Sequence, residues 1–166
     1  MAIADALLPE FDHEMGVTRR LLERVPEDKF AWRPHAKSYS MIELATHVAT
    51  IPFWGVPTLT ETELDLGGSN QNTTAPSRAD LVSRFDKHVA DTRAALVGKS
   101  DAEMMVAWSL KNNGQTLFTM PRIAVWRSFV MHHMVHHRGQ LSVYLRLNDV
   151  PVPAMYGPSA DESPNF

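Results

Sequence analysis

The chain has 166 residues, 44% hydrophobic and 21% charged, enough for one globular domain over residues 1–166 with a core of its own and too short for two. Sixteen Lys and Arg against nineteen Asp and Glu leave a formal charge of −3, so no positive excess exists to neutralise a phosphate backbone and nucleic acid is disfavoured as a partner. The sequence holds no cysteine and eight histidines, which excludes disulfides, thiolate ligands and a cysteine nucleophile and turns attention to imidazole.

The opening residues lack a basic stretch followed by an uninterrupted apolar run, and no segment approaches the roughly 18 apolar residues of a membrane span, so the cytoplasm is the expected compartment. From Leu7 to about Val25, Leu7, Leu8, Phe11, Met15, Leu21, Leu22 and Val25 recur at three- and four-residue steps, which predicts an amphipathic helix ending before Pro26. Residues 26–39 read as a connection with a short helical turn between Glu27 and Trp32. Ser40 and Glu43 match a capping box, so a second helix starts there and carries Leu44, Ala45, His47, Val48 and Ile51 until Pro52 or Pro57 kinks or stops it.

The polar stretch from Gly67 to Pro76 predicts the longest exposed loop, and its Asn72-Thr73-Thr74 is a chance match to a glycosylation acceptor in a chain without an export signal. A third helix opens at Ser77, with Leu81, Phe85, Val89 and Leu96 on one face and Gly98 at its C-terminal cap. Ser100 and Glu103 cap a short turn. The run from Trp108 to Phe118, with Asn113-Gly114 at its centre, has the pattern of a small hairpin. Pro121 then sits at a first helical position, and the longest helix runs from Ile123 to about Leu147. Four long helices predict an all-α four-helix bundle with a long crossover between helices two and three. The proline-rich residues 151–166 form an extended tail that packs over the bundle or frays.

His132, His133, His136 and His137 make two interleaved i, i+4 pairs. At about 100° per residue from Ile123, Trp126, Val130, Met134, Leu141, Tyr144 and Leu145 define an inner face. His137 and His133 fall in it or at its edge, while His132 and His136 point away. An unpaired imidazole nitrogen in a core costs about 1–3 kcal/mol, and a divalent ion shared by His133 and His137 removes that cost. Two ligands hold an ion weakly, so a third is needed from another helix. His47, mid-way along helix two, is the best placed. His13 is weaker, and Asp12 or Glu14 beside it offers a carboxylate as ligand or as a hydrogen-bond partner to one. A single core histidine is more often bonded to a carbonyl than to a metal, so the pair carries the argument. His35 and His88 carry no such signal.

The segments Thr18-Arg-Arg-Leu-Leu-Glu-Arg-Val-Pro, Trp32-Arg-Pro-His, Glu43-Leu-Ala-Thr-His47, His133-Met-Val-His-His137-Arg-Gly-Gln-Leu and Val150-Pro-Val-Pro-Ala-Met-Tyr-Gly-Pro-Ser span nearly the whole chain. Together they resemble the DinB-like (damage-inducible) metal-binding four-helix bundles, most specifically through the segment that opens at His133. The resemblance implies one divalent ion, nickel or zinc, held by His47, His133 and His137 with open positions for water, and often a homodimer. Related proteins transfer low-molecular-weight thiols such as bacillithiol or mycothiol. It therefore implies a metal-dependent thiol transferase or hydrolase, with a thiol as cosubstrate. The alternative is a non-catalytic, stress-related protein with a structural or sensory metal; a helical interaction module with ordinary core histidines is the third reading.

Overall fold

The computed structural model describes residues 2–67 and 73–163. Helix α1 (Ile3–Leu22) begins a turn earlier than its apolar period suggests, because its first N–H is capped from far away in sequence, Ile3 N donating to Asp101 Oδ1 at 2.7 Å. It ends at Leu22, and the N–H groups of Arg24 and Val25 tighten onto the carbonyls of Leu21 and Leu22 ahead of Pro26. A single 3-10 turn (Glu27–Lys29) lies inside the predicted connection.

Helix α2 (Met41–Thr50) starts on the predicted capping box, with Glu43 N donating to Ser40 Oγ and Ser40 N to the Glu43 carboxylate. Pro52 does not stop the chain there. A 3-10 turn (Ile51–Trp54) tightens it, and α3 (Gly55–Thr60) continues with Pro57 near its start, where a missing N–H costs little. Strand β1 (Glu63–Asp65) follows, then α4 (Arg78–Leu96), capped by Ser77 and followed by Gly98 at φ 75°. The loop expected from Gly67 to Pro76, with its Asn72, has residues 68–72 outside the described residues. Helix α5 (Asp101–Met104) carries the second capping box.

The expected hairpin is present as β2 (Ala107–Asn112) and β3 (Gln115–Pro121). Asn113 and Gly114 both have positive φ, 49° and 77°, as a tight two-residue hairpin turn requires. The register pairs Trp108 with Met120 and Leu110 with Phe118, then slips between Leu110 and Lys111. Strand β1 adds to the other side of β2 in parallel, Leu64 opposite Leu110. The all-α expectation is therefore corrected: a three-stranded sheet in the order β1-β2-β3 accompanies the helices. Its cause is a second, smaller core. Trp108, Leu110 and Val125 are buried there against Phe118 and Phe129, whose rings stack at 4.9 Å, and Trp108 Nε1 donates to Pro57 O at 3.0 Å.

The chain re-enters helix at α6 (Arg122–Val125), runs as a π-helix over Trp126–His132, and ends in α7 (His133–Arg146). Both α1 and α2 pack against α4 and α7, closing a four-membered ring of helices. Phe11, Leu21, Met41, Leu44, Phe85, Trp126, Met134 and Leu141 fill the space between them. The described part of the tail, residues 151–163, packs rather than frays. Arg20 donates to Ala154 O at 2.6 Å and Arg24 to Pro151 O at 3.0 Å, Glu162 pairs with both arginines, and Val152 and Ala154 are buried. Among the described residues no helix is long and apolar enough to cross a membrane.

Candidate metal centre

Three histidines meet where α2 faces α7. One imidazole nitrogen from each of His47, His133 and His137 lies within 4.8 Å of the others. Among the described residues this is the one such group able to hold a metal ion. The Nε2 atoms of His47 and His133 are 3.2 Å apart. Two nitrogens bound to one ion at about 2.0–2.1 Å stand about 3 Å from each other, so that separation suits neighbouring ligands.

The helix itself sets the orientation of His133. Where the π-helical segment gives way to α7, the His133 N–H donates to Val130 O rather than to the carbonyl four residues back. That carbonyl, Phe129 O, instead faces His133 Nδ1 at 3.3 Å. His137 Nδ1 faces Gln140 Oε1 at 2.7 Å. Both partners are acceptors, so each Nδ1 carries the hydrogen and each Nε2 keeps its lone pair for the shared space.

Burial keeps these rings neutral. It pushes the His47 pKa down to about 4, helped by repulsion from His137 and His133. His133 and His137 are also lowered, again chiefly by burial. The unfolded chain takes up a proton on residue 47 below about pH 6.5, whereas the folded chain does so only near 4. The contribution to stability is thus complete above the ordinary histidine range and is lost as pH falls from about 6.5 towards 4. We expect urea unfolding of the metal-free protein to show stability falling through that window, less steeply in His47→Gln. Equal slopes would contradict the assignment.

The inner and outer pairs separate as the helical phase predicts: His133 and His137 are half-buried, His132 and His136 exposed. The alternatives on α1 are not brought to the site. His13 is exposed, Asp12 pairs with Arg93 at 2.8 Å, and Glu14 lies under Arg138 at 2.6 Å. His35 and His88 stay away as well, His88 against the Phe53 ring.

Sequence reasoning passed over Arg138 and Gln140. Arg138 is 1% exposed, with Nη1 donating to Glu14 O and Thr18 Oγ1, both at 3.1 Å, and Nη2 to Tyr156 Oη at 2.5 Å. The signal was its helical phase, about 60°, beside Leu145 at about 40°. Its charge argued the other way.

Among the described residues, two clefts open beside the histidines. One, of about 220 Å³, is lined by Glu43, Thr46, His47 and Thr74; the other, of about 370 Å³, by Lys37, Leu44, His137, Gln140 and Tyr144. Tyr39 lines both.

With this geometry in place, the comparison with known proteins is decisive at the level of family. The chain matches the DinB family over residues 3–164. It belongs to that family. Among curated proteins, the DinB chain is 22% identical over 162 residues to YrdA of Bacillus subtilis strain 168, described as uncharacterized, covering 98% of this chain and 93% of that one. A DinB-like crystal structure from Bacillus cereus ATCC 10987 superposes with a TM-score of 0.71 at 17% identity, covering 93% of this chain and 98% of that one. The DinB-like protein YjoA of Bacillus subtilis gives 0.71 at 22% identity, with 90% and 96% covered. At these identities the structural likeness concerns the fold, including the helical ring on which the histidines sit.

Proposed function

We propose that this DinB-family chain is a divalent-metal-dependent enzyme that transfers a low-molecular-weight thiol to an electrophile, with His47, His133 and His137 holding one nickel or zinc ion. The observation that supports this reading is the convergence of three neutral imidazoles beside open clefts, two of them with Nδ1 tied back to an acceptor. An all-nitrogen donor set suits a borderline transition-metal ion and not calcium or magnesium, which take oxygen. When bound, such an ion supplies the Lewis acidity that turns a thiol or water into a nucleophile near neutral pH.

The chain's own residues hold and orient. Phe129 O and Gln140 fix the two rings of the last helix, and the clefts give reactants access from two sides of Tyr39. The absence of cysteine fits a sulfur brought in by the cosubstrate. Glu43 lines the cleft beside Thr46 and His47, but it accepts from Ser40 N at 2.7 Å, which holds its pKa below the usual range. It is therefore a poor proton acceptor, and a thiol acidified by such an ion would release its proton to solvent rather than to this carboxylate.

The same engaged carboxylate favours, as the second reading, a protein that binds metal without turnover. Incubating metal-loaded protein with a panel of low-molecular-weight thiols and chlorodinitrobenzene separates the two. The enzyme reading expects a conjugate that forms with at least one thiol and stops on chelation. Metal-loaded protein inert with every thiol would establish the second.

A further inference from the structure

The two clefts differ in chemistry. Among the described residues no carboxylate lines the one between the 34–39 segment and α7, and Pro34, Leu44 and the Tyr144 ring give its lining an apolar part. Among the described residues the Lys37 ammonium at its mouth has no carboxylate partner. Most other cations of the surface do have one: Arg19 with Asp86, Arg24 with Glu162, Arg93 with Asp12 and Arg146 with Asp161.

Gln140 supplies the second donor. Its Oε1 faces His137 Nδ1, so its NH2 group is turned away from that ring nitrogen and, among the described residues, has no hydrogen-bond partner while Gln140 lines the cleft. Tyr144 Oη is engaged with Tyr39 O at 3.2 Å and holds the wall in place. A cation, an amide donor and an apolar part of the lining, without an acidic group, make a surface complementary to a small molecule with an anionic end and a short apolar body.

We infer that this cleft is the subsite for a carboxylate-bearing cosubstrate, with Lys37 as the residue that selects its charge and Gln140 linking its recognition to the orientation of His137. The inference rests on the metal-centre reading for the role of the bound molecule, but its charge preference does not. The acidic cleft across Tyr39, which contains Glu43, is left for the other, neutral or cationic reactant.

The test uses 3-mercaptopropionate and its neutral analogue 3-mercaptopropan-1-ol on cobalt-loaded protein, with the visible spectrum reporting thiol binding. Wild type is expected to bind the carboxylate about fivefold more tightly, the order of one ion pair at a solvent-accessible mouth. Added salt should lower the ratio. Lys37→Gln should bring it near one and Lys37→Arg should preserve it, with cobalt affinity unchanged in both. No preference in wild type, or an undiminished preference in Lys37→Gln, overturns the inference. The same pair titrated onto metal-free protein, followed at the Gln140 side-chain amide by NMR, keeps the two readings apart. Failure of cobalt to bind overturns the metal centre alone, and loss of the charge preference in the metal-free protein overturns the subsite alone.

Discussion

Replacing His133 and His137 together by alanine is expected to reduce bound divalent metal from about one ion per chain to less than about a tenth, because a single remaining imidazole cannot retain an ion through purification. Both side chains are half-buried on a helix, and alanine is the best helix former, so the variant should fold. The control is thermal. At metal a hundredfold above its dissociation constant, wild type gains about 2.7 kcal/mol, or about 5–10 °C for a domain of this size. The double variant should gain almost nothing. Metal analysis showing full occupancy in the variant would remove these two histidines from the site. A single His47→Ala variant then asks whether the third imidazole comes from α2, as the 3.2 Å approach to His133 implies.

The second large effect concerns stability. Arg138 and Glu14 form an ion pair at 2.6 Å that is almost wholly enclosed, and Tyr156 from the tail completes it by donating to Glu14 Oε2 at 3.0 Å. Removing one member of such a pair leaves the other charged and desolvated, so Arg138→Met should cost about 3–5 kcal/mol in urea unfolding. Replacing both, Arg138→Met with Glu14→Leu, should recover most of it, since no charge is then stranded. Arg138 follows His137 directly and ties α7 to Glu14 and Thr18 of α1, so its loss is expected to loosen the placement of His137 against His47. The single variant should therefore also weaken metal binding, and the double variant should remain weakened even where stability returns. A cost under about 1 kcal/mol for the single variant would mean that water reaches the pair.

Much of this architecture is legible in the amino-acid sequence. The capping boxes at Ser40 and Ser100, the Asn113-Gly114 turn and the stop after Leu96 are local chemistry, complete within a few residues, and each is found where its residues predict. The last helix is legible in extent but not in winding. A uniform turn from Ile123 puts His133 and His137 in the inner face or at its edge, where both are half-buried, but gives no sign of the π-helical segment from Trp126 to His132. Strand β1 has no signal of its own, three residues with Glu63 and Asp65 exposed, and exists because β2 offers it a parallel partner.

By itself, the sequence determined the donor atoms available here: no sulfur, and an i, i+4 pair of imidazoles whose common face follows from helical geometry alone. It also limited the third ligand to a short set of candidates. Only the tertiary structure brings His47, and not His13, Asp12 or Glu14, beside His133 and His137, because that depends on which helices pack against α7 and which side chains another partner already holds. It also decided that Arg138 is interior and that the Lys37 ammonium has no carboxylate partner among the described residues. Desolvation and ion pairing are properties of surfaces brought together from distant parts of the chain, and no periodicity within one segment encodes them.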